Sequence, residues 1–172
     1  MGDYAEQMVK NCSIVNCIVP LVRNAAPAIG DAVSLKKNDH VTFVIQCGAL
    51  AAVNAAVTIT QDTAIAPTAN VKALAFTHYF TNAADITSNV LVDTPCASTF
   101  NLATAGATYV IEVDADSLDC TGTPATPIPP FDTVILGVGA GGAGDLLYSA
   151  VAILSKSRYS GASASMSNVL ID

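Results

Sequence analysis

Apolar and polar positions along the chain repeat with a period of two far more often than 3.6, which predicts strands rather than helices. The clearest strand is VTFVIQ, residues 41–46, entered through a charged turn at Lys36, Lys37, Asn38 and Asp39. VSLKK, from Val33, precedes that turn, so the two read as a hairpin. Val57, Thr58, Ile59 and Thr60 alternate and stop at Asp62. Residues 71–80 read as one strand, with Lys72, Leu74, Phe76, His78 and Phe80 on one face and Val71, Ala73, Ala75, Thr77 and Tyr79 on the other. Shorter candidates lie at 89–92 and 98–102, then strong ones at 109–113, 131–138 and 146–154. Helical signals are confined to one alanine-rich turn over 49–56 and a short N-terminal piece over 4–10. Eight or nine strands at regular spacing predict an all-β single domain, a β-sandwich or jelly-roll-like fold.

The ends break the pattern. Residues 1–30 mix valine and isoleucine with Asn11, Pro20, Asn24, Pro27 and Gly30, and read as an extended N-terminal arm. Residues 31–161 form the predicted sandwich, and 162–172 a serine-rich C-terminal tail ending in Val169, Leu170 and Ile171. The opposing reading has the first thirty residues wrapping their own sandwich and the last dozen disordered.

Composition sharpens this picture. The chain of 172 residues is 52% hydrophobic but only 12% charged, with 29 alanines, 18 valines and no tryptophan. So much apolar content with so little charge excludes a disordered polyelectrolyte. Seven Lys plus Arg against fourteen Asp plus Glu give a net charge of −7, the wrong sign for binding nucleic acid through phosphates. The longest uncharged run, residues 41–61, is broken by Asn54, Thr58 and Thr60, so no membrane helix and no membrane partner is expected. The start, MGDYAEQMVK, lacks the basic and apolar regions of an export signal, which predicts synthesis and folding in a cytoplasm. Glu6 stands where a myristoylation signal has Ser or Thr.

Candidate chemistry is thin. Cys12 and Cys17 are spaced like a wide zinc half-site, but Cys47, Cys96 and Cys120 supply no matching pair. Cys47, within a strand, reads as a small buried hydrophobe; Cys12, Cys17, Cys96 and Cys120 lie in less regular segments and remain open to disulfide formation. GVGAGGAG, residues 137–144, holds G-x-G-x-x-G in two overlapping registers. The residues after Gly144 run like a strand and lack an acid at the distance a dinucleotide site needs, so a flexible hairpin loop explains the glycines. Asp114, Asp116 and Asp119, after Glu112, form the densest acid cluster; hard oxygen ligands suit calcium, but EF-hand spacing is absent, and solvated or capping acids explain the cluster equally. His40 sits in a turn, and His78 reads as a partly exposed cross-strand partner rather than a general base. No nucleophile or metalloprotease motif is present, so no catalytic, cofactor or metal residue is assigned and the chain is expected not to be an enzyme.

The order of segments resembles a group of small virion proteins of tailed bacteriophages and prophages, encoded near the major capsid protein. The matching stretches are YVIEVDADSLD (109–119), FDTVI (131–135) and ILSKSRYSG (153–161), within a resemblance spanning about residues 32–161. The cysteine-bearing N-terminal stretch departs from the group. The resemblance implies a head decoration or cement protein on a β-sandwich, bound to the major capsid protein and located in the virion. The uncharged, alanine-rich surface suits a subunit buried against neighbours, a homo-oligomer such as a trimer. Arg158, Tyr159, the apolar C-terminal residues and the N-terminal arm are the expected contacts. Rivals are a neck, tail or fibre-attachment protein, and a receptor- or carbohydrate-binding module using Tyr79, Tyr148 or Tyr159.

Overall fold

The computed structural model describes residues 12–24, 27–50, 54–65, 71–119, 131–140 and 145–157. The strands are β1 (Ser13–Asn24), β2 (Ala28–Ile29), β3 (Val33–Ser34), β4 (Asn38–Leu50), β5 (Ala55–Asp62), β6 (Lys72–Leu74), β7 (His78–Thr81), β8 (Val92–Pro95), β9 (Phe100–Leu102), β10 (Thr108–Asp114), β11 (Thr133–Val138) and β12 (Asp145–Ser157). One 3-10 turn, Ala115–Ser117, is the sole helical element among the described residues. All pairings are antiparallel and form two sheets. The first runs β1-β12-β4-β10-β7-β8; the second runs β2-β11-β5-β6, with β3 added on β11 and β9 on β5. The predicted all-β sandwich is the observed fold.

The core follows from alternation. Val41, Phe43, Ile45 and Cys47 of β4, Tyr109, Ile111 and Val113 of β10, and the even-numbered residues 146–154 of β12 point inward and are buried. Against them the second sheet sets Val57, Ile59, Val134, Leu136 and Leu102. Four aromatic rings tie the layers together. Phe100 stacks on Tyr79 at 4.0 Å and on Tyr109 at 5.4 Å, and meets the edge of Phe76 at 6.2 Å. The buried Tyr109 hydroxyl accepts hydrogen bonds from the N–H groups of Ala103 (3.4 Å) and Thr104 (3.3 Å), which satisfies its polar end.

Several local expectations are corrected. The Val33 and 41–46 segments do not form a hairpin, because β3 pairs with β11 in the second sheet and the Leu35 N–H donates to the Asp132 carbonyl at 2.6 Å before β4 enters the first sheet. Residues 71–80 are not one strand: β6 lies in the second sheet and β7 in the first. Leu74 and Phe76 point inward, but after the crossing it is Tyr79 and Thr81 that do, so the alternation changes phase. The glycine-rich segment is likewise no hairpin, since β11 and β12 belong to different sheets. Gly137 and Gly139 serve close packing: a Cβ on Gly137 would come within 2.9 Å of Thr58 Oγ1, one on Gly139 within 3.4 Å of the Ala56 carbonyl oxygen, and the Gly139 N–H donates to that carbonyl at 2.7 Å. In place of an alanine-rich helical turn, β4 extends to Leu50 and β5 starts at Ala55, with 51–53 outside the described residues. The expected strand at 89–92 falls three residues later, as β8. Within the segment read as an arm, β1 is the edge strand of the first sheet and β2 joins the second; residues 1–11, with the expected helix over 4–10, and the 162–172 tail lie outside the described residues.

Candidate interaction surface

The structure separates the acids that the sequence groups. Asp114 leaves the end of β10 on the outer face of the first sheet, directly across from His40 of β4. A carboxylate only accepts, so the His40 Nδ1–H donates to Asp114 Oδ1 at 2.8 Å. His40 Nε2 lies 3.2 Å from Thr42 Oγ1 and 3.8 Å from Glu112 Oε1. Lys156, whose backbone takes a left-handed φ of 53°, reaches the same Asp114 oxygen at 3.4 Å. The hydrogen bond from His40, with the positive charge of His40 and Lys156 adding to it, holds the Asp114 carboxyl below its ordinary range.

Asp119 belongs to a different site. Its carboxylate pairs with Lys72 and accepts from the Gln61 side-chain amide at 2.9 Å, while its N–H donates back to Gln61 Oε1 at 2.9 Å. Gln61 is buried, so this reciprocal pair fixes the chain after the 3-10 turn onto β5. Lys72 is the main cause that lowers the Asp119 carboxyl below its usual range. Asp114 and Asp119 are thus each neutralised by a separate cation. Among the described residues no group of three or more His, Cys, Asp or Glu is placed to hold a metal ion.

The other side chains singled out by sequence are engaged separately. A cavity of about 290 Å³ near β6 and β7 is lined by Phe76, His78, Phe80, Glu112 and Ser117 among others. There the Ser117 hydroxyl donates to the Asp114 carbonyl at 2.6 Å and His78 Nδ1 lies 2.9 Å from Thr77 Oγ1, so histidine and serine have different partners. His78 is exposed on β7 opposite Pro95, as the cross-strand reading has it. Cys47 is buried, as expected, but Cys17 is buried too, in the regular strand β1; burial pushes both thiols up to about 12. Cys12, Cys17, Cys47 and Cys96 are free thiols. Tyr148 is 1% exposed and cannot serve as a recognition platform, and Tyr79 is taken up by its stack on Phe100. Cys120, Arg158 and Tyr159 lie outside the described residues.

Two apolar surfaces stand out that sequence reasoning missed. The first is a corner formed by residues 82–91 and β8. Ile86, Val90, Leu91 and Val92 are exposed by 50%, 66%, 40% and 54%. The loop that carries them is braced by its own polar groups. Asp85 Oδ1 accepts from the N–H (3.0 Å) and hydroxyl (2.6 Å) of Thr87, Ser88 Oγ accepts from the Val90 N–H at 3.1 Å, and the Asn82 side chain bridges the Ser88 carbonyl and the Thr108 N–H. A run of Asn, Asp, Thr and Ser just ahead of aliphatics is the signal in the sequence.

The second surface is the outer face of the first sheet. Cross-strand register lines up Asn16, Val151, Val44, Val110, Phe80 and Asp93 in one row across all six strands. Its four central members are apolar and partly exposed, where a water-facing sheet ordinarily carries polar side chains.

The fold and these surfaces define a two-sheet antiparallel β-sandwich whose polar side chains are spent on structural pairing and whose apolar surplus is on the outside. Neither a family model nor a curated protein sequence matches the chain. Among solved structures it is similar to the crystal structure of SPBc2 prophage-derived protein YomS, with a TM-score of 0.41 and 10% identity over 83% of this chain and 93% of that one.

Proposed function

We propose that this chain is a virion structural protein, a decoration or cement protein that binds the shell of the major capsid protein in a tailed bacteriophage and stabilises it. The observation that carries the reading is the braced loop of residues 82–91 and its neighbour β8, which hold four large aliphatics out to solvent. Large aliphatics exposed together within residues 86–92 mark a protein-binding surface more often than singly scattered ones do. Because the loop is already ordered, docking costs little conformational entropy. Repetition over a shell then turns modest contacts into avidity. The resemblance of residues 109–119, 131–135 and 153–161 to small virion proteins of tailed bacteriophages and prophages supports the same reading.

The test is binding of the purified full chain to expanded shells of the major capsid protein, read by co-sedimentation. Saturable binding at many copies per shell is expected, together with a higher melting temperature of the shell. Absence of binding overturns the proposal. Gel stoichiometry of whole virions separates the cement role from a neck or tail part, which would be present in a single ring rather than across the head.

A further inference from the structure

We propose that the outer face of the first sheet is the contact surface of a two-fold dimer, with a second copy of this chain as its occupant. Such a dimer is a property of the isolated protein and goes beyond the shell reading.

The face has the dimensions of an interface. In sheet order the six strands are 12, 13, 13, 7, 4 and 4 residues long; at about 4.8 Å between strands and roughly 3.4 Å per residue their face covers about 870 Å². A standard interface takes about 800 Å² from each partner; with long strands laid over short ones the face meets its copy over less than that, which makes a weak dimer with the apolar row at its centre.

Charge is distributed to match. Glu112, Asp114 and Asp93 stand on β10 and β8 and His40 and Lys156 on β4 and β12, with Asp39 of β4 beside Asp114 and Lys156 at the end of the sheet. A two-fold contact requires each residue to meet its counterpart reciprocally. An axis along the strands, between β4 and β10, lays β4 over β10, β12 over β7 and β1 over β8 of the second copy. Val44 then meets Val110, Val151 meets Phe80, His40 meets Asp114 and Asn16 meets Asp93. Val44 with Val110 and Val151 with Phe80 are apolar with apolar, and Asn16 sets an amide donor against Asp93; His40 keeps Asp114 of its own chain as its partner. His78 falls opposite Ile153, the one poorly matched couple. The other in-plane axis, along the row, places Asp93 against Asp93 and is disfavoured by like charge.

The experiment is size-exclusion chromatography with light scattering on the full chain at tens of micromolar, with circular dichroism as the check on folding. A two-chain particle is expected. Val151→Glu buries a carboxylate against Phe80 and should weaken pairing at least tenfold with the strand spectrum unchanged. Ile29→Glu, an equally drastic change at an exposed position on β2 of the second sheet, should leave the particle intact. Adding Phe80→Lys to Val151→Glu should restore pairing. Within one chain these positions are three strands apart, about 14 Å, so only a contact between copies can rescue. Should Val151→Glu not fold, Val44→Lys at the centre of the row is read in the same way. A wild-type monomer, a three-chain particle, a Val151→Glu protein that still pairs, or failure of the rescue overturns the proposal. Shell binding by a monomeric wild type would overturn the dimer and leave the shell reading standing.

Discussion

Phe100→Ala is the most informative single perturbation of the sandwich. Phe100 is 7% exposed and is the only ring from the second sheet in the cluster with Tyr79 and Tyr109 of the first. Truncating a buried Phe costs about 3–5 kcal/mol, depending on how far the site collapses. Tyr109 is pinned through its hydroxyl to the N–H groups of Ala103 and Thr104, so that side of the hole stays open. Tyr79 is only half-buried and can shift inward, which sets the expected loss toward the lower part of the range, about 3–4 kcal/mol. At roughly 2–4 °C per kcal/mol for a domain of this size, the melting temperature should fall by roughly 6–16 °C. Urea unfolding should show a lower midpoint at unchanged slope, since the surface exposed on unfolding is the same. Phe100→Leu, nearer in volume, should cost less than about 1.5 kcal/mol. A loss below about 1.5 kcal/mol for Phe100→Ala would refute the idea that this ring is a principal tie between the sheets.

Acid stability offers a second check. The carboxyls of Asp85, Asp114 and Asp119 are all held below their ordinary range in the folded chain, by Thr87, His40 and Lys72 respectively. Their contribution is therefore fully present above the unfolded carboxylate value of about 3.9 and lost as pH falls through the lower folded values. Because Asp85 and Asp114 are exposed and Asp119 is partly so, the effect is modest. The melting difference between wild type and Asp114→Asn should shrink as pH falls below the unfolded carboxylate value of about 3.9, and a difference that persists at the acid end would contradict the assignment. Thiol chemistry gives a third. With Cys17 and Cys47 pushed up to about 12 by burial, neither should be alkylated by iodoacetamide at pH 8 in the native protein, and both should react once it is denatured. Rapid native labelling of either, located by peptide mass spectrometry, would contradict the burial.

Strands are legible in this sequence; their pairing is not. Tyr109, Ile111 and Val113 announce β10 by alternation alone, and the same holds for β4, β11 and β12. The places where the chain changes sheet, eight among the described strands, are hidden, because a run such as 71–80 keeps its alternation in sequence while its buried side flips from Phe76 to Tyr79. The acids at 114, 116 and 119 look like one site because they are close in sequence, yet their partners, His40, Lys156, Gln61 and Lys72, are distant along the chain. The apolar row is invisible for the same reason. Val44, Val110 and Val151 each occupy an ordinary outward position, and only the register sets them side by side.

The strand order of the first sheet also governs when the protein can fold. β4 lies between β10 and β12, and β1 is held in that sheet only by β12. β12 begins at Asp145, long after β4 has ended at Leu50. On the ribosome, β1 and one whole flank of β4 must wait unpaired until the Asp145–Ser157 stretch emerges, and exposed strand edges of that kind invite association with other chains. Pairings of such sequence separation also make for slow folding. The stretch Ser13–Asn24 carries no Phe, Tyr or Trp, and Asn38–Leu50 only Phe43. Having so few large rings keeps the waiting strands less adhesive while the sheet is incomplete.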